Sequence, residues 1–218
     1  MQDEAEAAIE KAIGLVAGAD LVPVTMGGDG SVTLGQLRAL ARRHPDLVVL
    51  HVDSHTDANA GTGRAAATGT TFTRAAEEGL VDTGTSLHLG MRGTFRAPGT
   101  FDQARGLGYG LMTYDELRTR GVDVVTAEIK ARLAGRPVYL CWDMDFFDPS
   151  CAPGVCAPIP GGPGAEEGLR LLRGFAGLNI VACDVNTVSP PHDVGGITAL
   201  LAAQVMYDCL VLVCQRAG

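Results

Sequence analysis

Lysine is almost missing from this chain. Lys11 and Lys130 are the only lysines among 17 basic residues, and the arginines are scattered through the chain. With no basic stripe there is no electrostatic footprint for nucleic acid, and none is expected as a partner. The six cysteines, at 141, 151, 156, 183, 209 and 214, show no CxxC spacing, which argues against a disulfide framework. Cys141 and Cys183 fall inside apolar runs and read as small core residues. Met1-Gln2-Asp3-Glu4-Ala5-Glu6 is acidic and opens an amphipathic helix, which is unlike a secretory leader, so a cytoplasmic protein is expected. The longest apolar stretch, Ile197 to Cys214, is interrupted by Gln204 and Asp208. That reads as a closing helix rather than a membrane span. Long polar runs are few and apolar residues make up 46%, which excludes general disorder. Neither an internal repeat nor a domain-sized linker is visible, so residues 1–218 are expected to form one domain.

The most informative stretch is His51-Val52-Asp53-Ser54-His55-Thr56-Asp57, which follows the apolar run Leu47-Val48-Val49-Leu50. Residues at i, i+2 and i+4 of an extended chain share a face, so Asp53, His55 and Asp57 are expected to project together where a strand ends. A second strand, Pro137 to Trp142, runs into Asp143-Met144-Asp145-Phe146-Phe147-Asp148-Pro149, with Asp143 and Asp145 again sharing a face. The bland reading is a pair of solvated strand ends. If the two strands are neighbours, however, four carboxylates and one imidazole meet in a small volume, where they repel strongly unless cations neutralise them. Two divalent cations cancel four negative charges, and would bring the formal charge of −8 to near −4. An oxygen-rich donor set with one imidazole is too hard for structural zinc and suits Mn(II), ahead of Mg(II), Fe(II), Co(II) or Ni(II).

Strand and helix patterns alternate along the chain. Helices are expected at 3–18, 32–43, 72–78, 100–105, 114–120, 122–134, 165–173 and at the closing segment, with Ser31 an N-cap for the second. Strands are expected at 21–26, 47–53, 85–91, 109–113, 137–142 (running on toward Asp145) and 178–185. This pattern predicts an α/β fold: three αβα layers around a mainly parallel sheet, with ligands beyond the carboxyl ends of the strands. Residues 58–71, rich in Gly, Ala and Thr, read as an active-site loop.

The motifs closely resemble the ureohydrolases, the family of arginase and agmatinase, and agmatinases most of all. Gly27-Gly28-Asp29-Gly30-Ser31 resembles the family's Gly-Gly-Asp-His-Ser stretch. Asp53-Ser54-His55-Thr56-Asp57 resembles its Asp-Ala-His-x-Asp stretch, and Asp143 to Pro149 with Ala152-Pro153-Gly154 its third signature. Phe72 to Leu80, Val188-Ser189-Pro190-Pro191 and Gly196 to Ala203 extend the likeness over nearly the whole chain. The resemblance implies a ureohydrolase-like fold and two Mn(II) ions, bridged by Asp53 and Asp143. Asp57 would bind the first ion alone, and His55 and Asp145 the second. It further implies a homo-oligomer and a small guanidino substrate, cleaved to urea and an amine by hydroxide made at the cations. Asp143 and Asp57 would then take part in catalysis.

The departures from the family cluster at this same site. Gly30 stands where the family has a metal-binding His, which would weaken the first ion's site relative to the second. Thr68 stands where a His shuttles protons, and Thr187 where a Glu anchors the guanidinium. Ile159, Pro163 and Gly164 replace more polar residues. The Gly-Gly-Asp motif also comes early, and an amino-terminal segment of the family is expected to be missing. His51 is read as a supporting group beside the site, His192 as loop surface, and Cys156 as a residue that could reach the cavity as ligand or nucleophile. Two functions remain open on these residues: a guanidino hydrolase with altered substrate or reduced rate, and a metal-binding protein of this fold without turnover.

Overall fold

The computed structural model describes residues 2–61, 67–94 and 98–216. Six strands, β1 (Val24–Met26), β2 (Val48–Val52), β3 (Leu87–Met91), β4 (Gly110–Thr113), β5 (Val138–Asp143) and β6 (Ile180–Asn186), form one parallel sheet. Eight helices connect and cover them: α1 (Gln2–Gly18), α2 (Val32–Ala41), α3 (Thr71–Glu77), α4 (Thr100–Gly106), α5 (Tyr114–Arg120), α6 (Val122–Arg132), α7 (Ala165–Gly174) and α8 (Ile197–Cys214).

The central strands are buried on both faces, which is why β2, β5 and β6 read as continuous apolar runs rather than alternating ones. Alternation instead distributes side chains between two cores. Val48, Leu50, Val52, Val138, Leu140 and Trp142 pack with residues of α5 to α8. Leu47, Val49, Tyr139 and Cys141 pack on the opposite face with α1 to α4. The result is the three-layer arrangement that the alternating pattern predicted.

The strand order β1-β6-β5-β2-β3-β4 contains the feature that places the site. From β2 the chain steps outward to β3 and β4, then returns across the sheet to β5 on the other side of β2. Connections therefore leave β2 and β5 in opposite directions, and a crevice opens beyond their carboxyl ends. Val52 pairs with Trp142, so Asp53 and Asp143 emerge side by side at that crevice.

Some expected boundaries move. Ser31 occupies the N-cap position of α2 but makes no side-chain capping bond: its backbone is in the right-handed helical region, and the Asp29 carboxylate accepts from its backbone N–H at 3.0 Å. Strand β2 ends at Val52, so Asp53, His55 and Asp57 do not share a face by strand alternation. They meet because the segment turns. The Asp53 N–H still donates to the Leu89 carbonyl, but Asp57 adopts a positive φ of 44° and its carbonyl accepts from Phe72 N. On the second strand only Asp143 is extended, and Asp145 sits in a 3-10 turn, Met144–Phe146. The 58–71 stretch is described only in part, since 62–66 lie outside the described residues; Thr68–Thr70 form a 3-10 turn leading directly into α3.

Candidate metal centre

All five residues expected as ligands come together. Asp53, His55 and Asp145 offer donor atoms within 4.8 Å of one another, and so do His51, Asp53, Asp57 and Asp143. Asp53 belongs to both groups, as a residue between two cations must. His55 Nδ1 lies 3.3 Å from Asp53 Oδ1 and 3.4 Å from Asp145 Oδ2, and Ser54 Oγ donates to Asp145 Oδ1 at 3.3 Å. The four acids are buried, whereas the His55 side chain remains 30% exposed, so the crevice opens on its side.

The donor set fits cations. His51 Nε2, Asp53 Oδ2 and Asp143 Oδ1 are among the buried side-chain atoms that have no hydrogen-bond partner, and an unpaired buried polar atom is costly unless something else satisfies it. Burial, followed by the charge of Asp53, pushes the Asp143 carboxyl up to about 7 and Asp145 well above the usual range. Asp57 is raised as well, by burial and then by Asp53 and Asp143. Despite its burial, Asp53 is held well below the usual value by its neighbours Asp145, His51 and His55. Against desolvation, the same acids lift His51 to about 10 and His55 to about 11. Without cations the cluster thus holds protons in their place, and binding a metal there must release them.

The family's missing groups leave visible marks. A Cβ on Gly30 would lie 3.2 Å from Thr68 Cγ2, 3.4 Å from Asp57 Oδ2 and 3.8 Å from Asp143 Oδ2, so this position faces the acids. Gly30 has no positive φ, so its backbone accepts a side chain. Thr187 is turned away from substrate duty, with its hydroxyl donating to the Asn186 carbonyl at 2.7 Å and accepting from Met144 N at 2.9 Å. Its φ of 73° is unusual for a β-branched residue. Cys156 is exposed and belongs to none of the candidate metal groups among the described residues, while the buried Cys141 lies beside His51 and Asp143. His192 lies on the surface against Ser189.

Two further contributors carried no motif. His88, in the apolar strand β3, places Nδ1 2.8 Å from Nδ1 of His51. Arg92, just past β3, donates to the carbonyls of Asp145, Phe146, Phe147 and Ile159 at 2.8–3.1 Å, clamping the 3-10 turn to the following loop. A polar residue in or just after a buried parallel strand is the signal that could have found both.

A parallel sheet with an acid and histidine cluster at its switch point defines the class, and comparison gives the family. The chain belongs to the arginase family, whose sequence profile matches residues 1–212. It is 36% identical over 208 residues to a guanidinobutyrase of Pseudomonas aeruginosa, covering 95% of this chain and 65% of that protein. It is 40% identical over 186 residues to proclavaminate amidinohydrolase of Streptomyces clavuligerus, covering 85% and 59%. The chain thus spans about three fifths to two thirds of these relatives' length. The crystal structure of the Streptomyces clavuligerus enzyme superposes with a TM-score of 0.91 at 36% identity, covering 96% of this chain and 70% of that one. Arginase from Bacillus caldovelox superposes at 0.86 and 25% identity, covering 96% and 75%.

Proposed function

We propose that this protein is a binuclear, manganese-dependent amidinohydrolase that cleaves a small linear guanidino compound to urea and an amine. The observation that carries the reading is the convergence of Asp53, His55, Asp57, Asp143 and Asp145 at the switch point, with buried acceptor atoms left unpaired. By the family resemblance Asp53 and Asp143 would each hold both cations, Asp57 the first, and His55 and Asp145 the second; of the two shared acids, Asp53 is the one that falls in both donor groups. Cations bound there supply hydroxide from water near neutral pH for attack on the guanidinium carbon.

The chain's own residues account for the remainder. Ser54 and Arg92 hold the Asp145 segment in place, and the crevice opens to substrate on the His55 side. The leaving amine needs a proton when its C–N bond breaks. Neither Thr68 nor Thr187 titrates near neutrality, so the proton would come from the attacking water itself and be passed to the leaving nitrogen by a carboxylate of the cluster, Asp57 in this reading. A guanidinium anchor at position 187 is lacking, which favours a substrate other than that of the family's efficient agmatinases. The same observation supports a second reading, a metal-binding protein without turnover.

Urea release with Mn(II), measured across linear guanidines of increasing length including agmatine and guanidinobutyrate, separates the two. Turnover of at least one establishes the hydrolase. Two bound ions without urea from any of them would establish the silent form.

A further inference from the structure

The geometry points to His51 as the fourth protein ligand of the first cation, replacing the histidine that position 30 lacks. This rests on the binuclear reading above, but it reassigns a residue that the resemblance leaves outside the ligand set. It also removes the expectation that the first cation is the weakly held one.

Three observations carry it. First, His51 Nε2 reaches Asp143, one of the two acids that a side chain at position 30 would meet, and shares a donor group with the other, Asp57. It lies 3.3 Å from Asp53 Oδ2 and 3.8 Å from Asp143 Oδ2, and its donor atom falls within 4.8 Å of those of Asp53, Asp57 and Asp143. Position 30 addresses Asp57 and Asp143 from the turn before α2, whereas His51 addresses them from within β2. Second, Nε2 is fully buried and has no hydrogen-bond partner. Third, its other ring nitrogen is held as the outer nitrogen of a metal-binding imidazole usually is: Nδ1 meets Nδ1 of His88 at 2.8 Å. One proton fits between those two atoms, and when His51 donates it the Nε2 lone pair faces the carboxylates. Phe72, its ring centroid 4.4 Å from that of His51, fixes the plane.

Of the five histidines, His55 serves the other group, His88 is spent on His51, His44 closes α2 and His192 is on the surface. The first cation therefore has one imidazole within reach among the described residues, and it is that of His51.

Pulsed EPR on the full chain loaded with substoichiometric Mn(II) tests this through the nitrogen coupling of a directly bound imidazole. The deciding variant leaves His51 untouched. His55→Gln removes the second cation's imidazole, and its bound Mn(II) is expected to keep an imidazole signal that His51→Gln/His55→Gln loses. Elemental analysis and Mn(II) titration add a second readout. His51→Gln is expected to weaken the first cation at least about tenfold, and Gly30→His in that background to restore it. Mn(II) bound to His55→Gln without imidazole coupling would overturn the assignment while leaving the binuclear reading intact. So would unchanged affinities in a folded His51→Gln protein. Failure of the parent chain to bind Mn(II) at all would overturn both.

Discussion

Thr187 shows how far a single residue has moved from the family's chemistry. Its hydroxyl is the acceptor for the Met144 N–H, next to the metal-site residue Asp143, and its backbone is held at a φ of 73°. Replacing it with the family's glutamate removes that acceptor and leaves a partly buried N–H unpaired, which costs about 1–3 kcal/mol. Chemical denaturation should show this loss in Thr187→Glu. It should not appear in Thr187→Ser, which keeps the hydroxyl and drops the β-branch. Activity behaves differently from stability here. Thr187→Glu is expected to release urea from agmatine or guanidinobutyrate faster than the parent, because it returns a carboxylate to pair with the guanidinium. Unchanged or slower urea release would mean that a side chain at position 187 does not reach the substrate. At this scale the acids were legible, since Asp and His concentrated after apolar runs have few other uses. The orientation of His51 and the pairing with His88 were not, because both depend on which strands are neighbours. The sequence contains no signal for the β2–β3 register that sets His51 opposite His88.

Elements position these residues, and two of them make measurable contributions. Helix α3 delivers Phe72, which is 1% exposed and packs against His51, His88 and Tyr109. Phe72→Ala should cost about 3–5 kcal/mol in chemical denaturation, and Phe72→Leu substantially less. The loop after β5 is held by Asp148, whose carboxylate accepts from the backbone N–H groups of Ser150, Gly161 and Gly162 at 2.9, 2.7 and 3.1 Å. Against desolvation, the largest single influence on this group, these bonds and one from the Ser150 side chain together lower its pKa from 3.8 to about 2. A depressed carboxylate stabilises the fold above its unfolded pKa and loses that contribution as pH falls through the folded value. Asp148→Asn should therefore lower the Tm at neutral pH, and its difference from the parent should close as pH falls from 3.8 to about 2. A gap that stays constant over this window would show that the loop is held by something else. Helices and strands were readable from apolar periodicity, with ends shifted by one to three residues. Convergence of Asp53, His55 and Asp57 was anticipated for the wrong reason, since a turn with a positive φ at Asp57 brings them together where strand alternation was expected.

For the whole molecule, the open question lies on α8, which is apolar on every side although only one side is covered. Leu201, Val205, Cys209 and Leu212 are buried against the sheet. Ile197, Leu200, Tyr207 and Leu210 are 46, 73, 62 and 50% exposed. A groove of about 600 Å³ runs beside them, between Cys151, Ala165 and the helix. By length and composition this helix could cross a membrane, yet 39% of that stretch is buried inside the fold. A helix hydrophobic all round is normally enclosed, and exposed apolar patches of this kind mark protein contacts. Self-association through α8 is the outcome expected from this pattern, and it would require no change in the fold because the candidate metal centre lies at the carboxyl edge of the strands. Light scattering should return a multiple of the single-chain mass. Leu200→Lys with Tyr207→Lys should return the mass of one chain, with far-UV circular dichroism and Mn(II) stoichiometry unchanged. A parent protein that is monomeric at micromolar concentration would refute the interface. Loss of bound metal in the lysine variant, with its fold intact, would mean instead that association completes the metal centre.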